Sequence, residues 1–382
     1  MIERPIWSNR LKAVWKAVPI VWLSGVRRVG KTSLVKQLPD ALFLNCDLPS
    51  TEERVRHPER FFESVPSKLV IFDEIHQLED PSGLLKIAAD EFSHLRVLAT
   101  GSSTLDATKK FRDSLTGRKR NVTLRPVLFE ELEAFNVKNL EERLFRGGLP
   151  PALLVQEHDP EFYSEWMDSY FARDVQELFH LEKRDAFLKC LRLLLRQSGG
   201  LLDLSSVASD TSVSRPTIMS WMNIFQITHT LRIVRPFAKG GRREIVAQPK
   251  VYGFDTGFVC FTKAIESSRA LRSDDCGLLW EHLVLDTLES IKGVEPFFWR
   301  DKQHREIDFV VPKGQTKIHA IECKWSVSAF DPSNLQVFRK NYSQGMNFVV
   351  SPEVTKGTSF RRKYSGLEIH FVPLAELRGL LA

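Results

Sequence analysis

Cysteine is scarce in this chain, and no two cysteines lie close together. The five (Cys46, Cys190, Cys260, Cys276 and Cys323) form no C-x-x-C pair and have no neighbouring histidine group. That pattern argues against a structural zinc site and against a disulfide framework. Long apolar runs are missing too. None approaches the ~20 residues that span a bilayer, and the opening Met-Ile-Glu-Arg-Pro-Ile lacks the apolar core of a secretory signal. The expectation is a soluble, cytoplasmic protein. Neither sign of charge dominates: 54 Lys and Arg against 48 Asp and Glu leave a net +6 over 382 residues. This is only a weak lean towards a polyanionic partner. Apolar residues, by contrast, make up 43% of the chain, enough for several cores, and the length suggests two to four domains.

The strongest signal lies near the N-terminus. Gly25-Val26-Arg27-Arg28-Val29-Gly30-Lys31-Thr32 fills every slot of G-x-x-x-x-G-K-[ST]. A strand-like Val21-Trp22-Leu23 precedes it, and a helix-like run from Ser33 to Leu38 follows, closed by Pro39. The motif requires that strand–loop–helix context. The glycines let the backbone wrap an anion with its N–H groups, Lys31 neutralises the β/γ charge, and the Thr32 hydroxyl ligates Mg²⁺. ATP and Mg²⁺ are the expected cofactors. Ala41–Cys46 reads as the next strand and the polar stretch from Thr51 to Ser64 as helix. Lys68–Phe72 then forms a buried strand ending in Asp73-Glu74. Asp73 is expected to hold Mg²⁺ through water, and Glu74 to polarise the attacking water. Strand Arg96–Ala99 runs into Thr100-Gly101-Ser102-Ser103, where Thr100 or Ser102 is the candidate γ-phosphate sensor. Alternating strands and helices with chemistry at the strands' carboxyl ends imply a parallel sheet. Arg118, before the strand-like Asn121–Leu124, is the leading candidate for an arginine finger inserted into a neighbour's site, with Arg112 and Arg125 behind it.

In serial order G-V-R-R-V-G-K-T, I-F-D-E-I-H, L-A-T-G-S-S, S-L-T-G-R, P-V-L-F-E-E-L and F-R-G-G-L-P resemble a family of bacterial and archaeal AAA+ ATPases. Its members carry a C-terminal region catalogued as a domain of unknown function. Pro249-Lys-Val-Tyr-Gly-Phe-Asp-Thr-Gly257 and Ile321-Glu-Cys-Lys-Trp-Ser326 resemble that region. The resemblance implies an oligomeric, ring-forming ATPase, with a hexamer favoured. It does not supply a substrate.

Past the ATPase motifs, Glu161–Arg192 is helical in character, its aromatic stripe serving packing. After Gly199-Gly200, Leu204–Ser209 and Pro216–Ile227 read as two short helices, the second capped by Ser214. A strand pair, Leu231–Phe237 and Glu244–Gln248, flanks Lys239-Gly-Gly-Arg-Arg243. This pattern suggests a winged helix. In a DNA reader Ser214, Arg215, Thr217 and Ser220 would enter the major groove, and Lys239, Arg242 and Arg243 would contact phosphate. Protein docking or a purely structural role is the competing use. Further on, Glu281 lies on an amphipathic helix, and Glu306–Val311 and Lys317–Trp325 read as a hairpin. If its turn centres near Gln315, positions summing to 630 pair, so Asp308 faces Glu322 and Lys324 shares that face. Asp308, Glu322 and Lys324 match the D…(D/E)-x-K pattern of the restriction-endonuclease-like superfamily, PD-(D/E)XK. Asp308 and Glu322 would hold Mg²⁺ or Mn²⁺, Lys324 would orient water, and Glu281 would complete the outer shell. Gln336 is a lesser candidate for backbone contact, and Arg361-Arg-Lys363 reads as a solvated basic face.

The expected fold is α/β. It comprises a P-loop AAA+ ATPase core (1–135), a helical lid or linker (136–185), a winged helix (186–262) and a nuclease-like domain (263–382). The expected function is ATP-driven action on DNA, with branched DNA such as a Holliday junction as candidate substrate. The alternative is a nucleotide-gated regulatory or defence protein whose C-terminal domains bind protein partners and do not cleave DNA.

Overall fold

The computed structural model describes residues 2–101, 105, 109–176, 179, 181, 183–238, 248–314 and 316–381. The chain forms two compact units. The first is Met1–Arg125 with Glu165–Glu182 and Ile227–Thr230; the second is Pro126–Ser164, Lys183–Gln226 and Leu231–Ala382. Among the described residues no helix is long and apolar enough to cross a membrane.

The first unit is built on five parallel strands: β1 (Ile20–Ser24), β2 (Ala41–Asn45), β3 (Leu69–Asp73), β4 (Arg96–Thr100) and β5 (Lys119–Thr123), in the order β2-β3-β4-β1-β5. β1 is buried throughout, and β3 and β4 are buried apart from their first residues. Such continuous apolar runs suit central strands covered on both faces. Trp22, Phe61, Phe62, Phe72, Leu85 and Phe111 fill the core against them. Local details differ from the sequence reading. The expected helix over 51–64 is two helices, Pro49–Val55 and Pro58–Glu63. Each has proline in its first turn, where the missing N–H costs nothing and the fixed φ starts a helix afresh. β5 lies two residues earlier than expected at its start and one earlier at its end. The run expected to be helical from 161 to 192 begins as Glu161–Tyr170, widens into a π-helical turn over Phe171–Gln176, and resumes as Arg184–Arg196.

The second unit contains a mixed six-stranded sheet: β8 (Phe297–Arg300), β9 (Glu306–Lys313), β10 (Lys317–Cys323), β11 (Asn347–Val350), β12 (Phe360–Tyr364) and β13 (Leu367–Val372), ordered β12-β13-β11-β10-β9-β8. β8, β9 and β10 run antiparallel in sequence, while β11 lies parallel to β10 after the helix Ser333–Asn341. The long helix Ser273–Ser290 packs Trp280, Leu283 and Leu288 with Phe309, Ile321 and Phe348 of the sheet. Arg361-Arg-Lys363, expected as a solvated face, is the exposed middle of edge strand β12.

The same unit holds the helices Leu204–Thr211 and Arg215–Ile227 and a two-stranded ribbon, β6 (Leu231–Val234) with β7 (Lys250–Gly253). Phe187 of Arg184–Arg196 packs against Trp221 and Phe225, ring centroids 5.3 and 4.6 Å away. β7 is the partner of β6, registered from Leu231↔Gly253 to Val234↔Lys250. The expected partner Glu244–Gln248 lies outside the described residues except for Gln248, which is not in a strand. Lys239, Arg242, Arg243 and Ser102 also lie outside them, and so does the side chain of Arg112.

Candidate functional site

Two polar centres stand out, one in each unit. In the first, the loop after β1 turns through left-handed backbone at Gly25 (φ 137°), Arg28 (φ 60°) and Gly30 (φ 98°). A Cβ at Gly25 would sit 2.5 Å from the Leu124 carbonyl oxygen, so both the turn and the close approach require glycine. Gly30 caps the helix Lys31–Val35, which carries Lys31, Thr32 and Ser33 in its first turn. The Lys31 ammonium donates to the carbonyls of Gly25 (2.9 Å) and Val26 (3.3 Å). Burial lowers its pKa, against the opposing pull of Glu74, Asp174 and Asp73.

Because β4 lies between β1 and β3, the ends of all three strands meet beside this loop. Asp73 is buried and uses both oxygens. Oδ2 accepts from the Thr32 hydroxyl at 2.9 Å, and Oδ1 accepts from Thr100 at 2.6 Å. Thr100 in turn accepts the Glu74 N–H at 3.0 Å. Of the two sensor candidates, Thr100 therefore joins this chain, while Ser102 lies outside the described residues. Glu74 sits in left-handed backbone (φ 56°), with its carboxylate 3.4 Å from His76 Nδ1. A hydroxyl and a carboxylate at this spacing are hard oxygen donors that fit Mg²⁺.

Sequence reasoning missed the residues that brace this loop from far along the chain. Arg27 pairs with Asp174 at 3.2 Å, across 147 positions, and Trp166 Nε1 donates to the Arg27 carbonyl at 3.1 Å, across 139. Burial raises the Asp174 pKa, while Arg27, Lys31 and His76 pull it down. Arg118 makes a two-point ion pair with Asp90 of its own subunit, at 2.5 and 3.0 Å. The backbone carbonyl of Arg125 accepts from the Arg4 guanidinium at 3.0 Å.

In the second unit, β9 and β10 pair from Lys313↔Lys317 to Phe309↔Ile321, and every pair sums to 630. One step further, the register brings Asp308 opposite Glu322. The Lys324 ammonium lies 2.7 Å from Glu322 Oε2 and 3.4 Å from Asp308 Oδ2, and Asp308 also accepts the Cys323 N–H at 2.7 Å. Burial alone would raise the Asp308 pKa, but Lys324, Lys250 and the Cys323 amide outweigh it and hold the carboxyl low. Glu322 is pushed up to about 8, by burial first and then by the charge of Asp308. Its Oε1 is buried and has no hydrogen-bond partner among the described residues. A buried, unpartnered carboxylate oxygen beside a second acid is a donor set that suits a hard cation. Among the described residues no group of three or more His, Cys, Asp or Glu side chains could hold a metal.

Glu281, expected to complete the outer shell, lies close enough to Asp308 for that charge to help raise its pKa. Its carboxylate is held by Lys250 at 3.2 Å and by the Tyr252 hydroxyl. Lys250, buried at the start of β7, also reaches Glu306 Oε1 at 2.5 Å. Glu306 Oε2 accepts from Arg300 at 2.9 Å. Burial would lower the Lys250 pKa, yet Glu281, Glu306 and Asp308 together raise it. Lys250, Tyr252 and Glu306 were not singled out from sequence. The signal was present in P-K-V-Y-G-F-D-T-G, where alternate β7 side chains point to one face.

On the helix Arg215–Ile227, Ser214, Arg215 and Ser220 are exposed and Thr217 is half-buried. Ser214 Oγ accepts the Thr217 N–H at 3.4 Å and lies 2.8 Å from the Thr217 hydroxyl. Met219 is 53% exposed on the same helix. Gln336 lies in the first turn of Ser333–Asn341 and is half-buried.

Three family models match successive parts of the chain: an AAA domain over residues 17–133, a domain of unknown function (DUF8612) over 137–269, and a second (DUF4143) over 276–376. The parallel sheet with its P-loop and Asp73-Glu74 strand end thus belongs to the AAA+ class of P-loop ATPase folds. It is followed by a helical middle and a C-terminal sheet domain. Uncharacterized proteins of Mycobacterium bovis and Mycobacterium tuberculosis are each 27% identical over 324 residues, covering 81% of this chain and 71% of theirs. Solved structures of Cdc6p from Pyrobaculum aerophilum and of Drosophila ORC bound to GC-rich DNA and Cdc6 are 10% and 9% identical. Their TM-scores are 0.29 and 0.24; each alignment covers 68% of this chain, and 93% and 89% of those chains. Likenesses this distant add nothing to the assignment.

Proposed function

We propose that this chain is an ATP-hydrolysing switch that works on DNA and carries a metal-dependent nuclease-like centre. The observation that supports it best is one chain holding both a complete nucleotide site, with Asp73 shared between Thr32 and Thr100, and the Asp308–Glu322–Lys324 cluster. At the first site the backbone N–H groups of Gly25–Ser33 receive the phosphates and Lys31 neutralises them. Thr32 and, through water, Asp73 hold Mg²⁺. Glu74 takes the proton of the attacking water, as its carboxylate faces His76 and not a neutralising cation of its own loop. Thr100 couples the position of Glu74 to that of Asp73. The reading includes a homo-oligomeric ring, a hexamer favoured, in which Arg118 leaves its exposed pair with Asp90 to reach a neighbour's γ-phosphate. Exposed pairs of this kind are weak enough to exchange partners.

At the second site Asp308 and Glu322 would hold Mg²⁺ or Mn²⁺, which when bound polarises a phosphodiester and acidifies water. Lys324, anchored by both acids, orients that water. The helix pair Leu204–Thr211 and Arg215–Ile227 with its β6–β7 ribbon is read as a winged helix. Arg215 and Thr217 would face DNA, and Lys239, Arg242 and Arg243 would contact phosphate. Branched DNA such as a Holliday junction is the substrate class proposed. The half-exposed Met219 beside Arg215 favours a second reading, in which this helix docks a protein partner and the chain is a nucleotide-gated regulator. Nicking assays on plasmid and four-way DNA test the nuclease. Mn²⁺- or Mg²⁺-dependent cleavage should disappear in Asp308→Ala and Lys324→Ala, and cleavage surviving equally in both would place it elsewhere.

A further inference from the structure

We infer that the C-terminal cluster is a one-metal centre, in which the ammonium of Lys250 fills the position a second divalent cation would take. The inference rests on the reading of Asp308 and Glu322 as a cation site and assigns its stoichiometry. Four carboxylates gather here, and they fall into two pairs with different partners. Asp308 and Glu322 share the single ammonium of Lys324, and Glu322 Oε1 stays buried without a donor among the described residues. Glu281 and Glu306 are bridged by Lys250 at 3.2 and 2.5 Å, with Arg300 on the second oxygen of Glu306 and the Tyr252 hydroxyl on Glu281. That pair is matched charge for charge.

The bridging geometry is what a bound cation would adopt: one oxygen from each of two acids on a common positive centre. The Lys250 side chain is only 5% exposed, so its ammonium cannot swing into solvent to make room. Displacing it would bury an unpaired charge, which is far costlier than leaving the pair intact. An ion at Asp308–Glu322 completes its shell with water and substrate oxygens, as Mg²⁺ commonly does. Lys250 reaches the cluster from β7, in the ribbon following the candidate DNA-reading helix, and not from the sheet that carries Glu306, Asp308 and Glu322. The P-K-V-Y-G-F-D-T-G segment thereby acquires a role as the resident counter-cation of the site.

The test counts Mn²⁺ per chain by the electron paramagnetic resonance of free Mn²⁺. It uses nucleotide-free full-length protein carrying Lys31→Ala, so that the P-loop retains no metal–nucleotide complex. One Mn²⁺ is expected with Lys250 intact and none in Asp308→Asn. Lys250→Met should bind a second Mn²⁺, and adding Glu281→Gln should return the count to one. Two ions with Lys250 intact would overturn the inference, and so would a single ion in a folded Lys250→Met chain. If Lys250→Met does not fold, Lys250→Arg carries the test: one ion supports the inference and two overturn it. No ion at all with Lys250 intact would instead overturn the underlying reading of Asp308 and Glu322 as a metal site.

Discussion

Asp73 receives a hydroxyl on each of its two oxygens, and both hydroxyls come from residues proposed to face the nucleotide. Removing one leaves a buried carboxylate oxygen unsatisfied, a loss on the order of 1.5–3 kcal/mol for a bond to a charged group. Thr100→Val should therefore lower the rate of ATP hydrolysis about tenfold or more while ATP binding persists, measured by steady-state turnover and nucleotide titration. Lys31→Ala should abolish binding, whereas Glu74→Gln should bind ATP and hydrolyse it ~10²–10⁴-fold more slowly, the range ascribed to a general base. Unimpaired hydrolysis by Glu74→Gln would remove that residue from the role. A second prediction concerns His282, which is fully buried, shares a hydrogen bond with the Ser198 hydroxyl through Nε2 at 2.9 Å and faces Arg232 through Nδ1 at 3.4 Å. Burial, and then the Arg232 charge, hold its pKa well below 6.5. The unfolded chain binds this proton more readily than the folded one, so its contribution to stability is present above pH 6.5 and lost on acidification. His282→Gln should flatten the fall in denaturation midpoint below that pH; an unchanged slope would exclude His282 as a source of acid sensitivity. At this scale legibility follows sequence distance. Gly25–Thr32 and Asp73-Glu74 could be read because their chemistry is packed into a few consecutive residues. Trp166 and Asp174 could not, because only folding brings them to Arg27.

Among the elements, the β9–β10 hairpin shows how far alternation alone can reach. Strand periodicity fixes which residues share a face once a turn is located, and the observed pairs keep the expected sum of 630. What alternation could not show was a third party. Lys250 and Tyr252 enter the same cluster from a separate ribbon, and so Glu281 has partners that its own helix does not announce. The short basic run Arg361-Arg-Lys363 is exposed, as expected of a solvated face, and the fold adds that it is the middle of an edge strand paired with β13. For the helix Arg215–Ile227, the DNA-reading proposal makes a quantitative demand. If Arg215 contacts phosphate, Arg215→Ala should weaken binding uniformly across sequences and reduce the salt slope by about one. An unchanged slope, with loss of a protein partner instead, would favour docking through Met219.

For the whole molecule, chain order and compactness are different partitions. Glu165–Glu182 and Ile227–Thr230 pack with the N-terminal unit, although long segments of the other unit precede and separate them. No local composition marks such a return, because it is made by contacts such as Trp166 on the Arg27 carbonyl and Tyr170 on Thr228. The AAA-type core was legible as a class because its sheet repeats one strand–loop–helix grammar. The object of its energy is the larger question. Basic charge contributes little to the answer, since a net +6 over 382 residues is nearly balanced. The measurement that bears on it most directly combines salt-titrated binding to duplex, forked and four-way DNA with Mg²⁺-dependent ATP hydrolysis on the same substrates. The account predicts binding that weakens steeply as salt rises, through counterion release, and hydrolysis stimulated by at least one of those DNA structures. No salt-dependent binding to any of them, with or without ATP, together with hydrolysis indifferent to DNA, would contradict it.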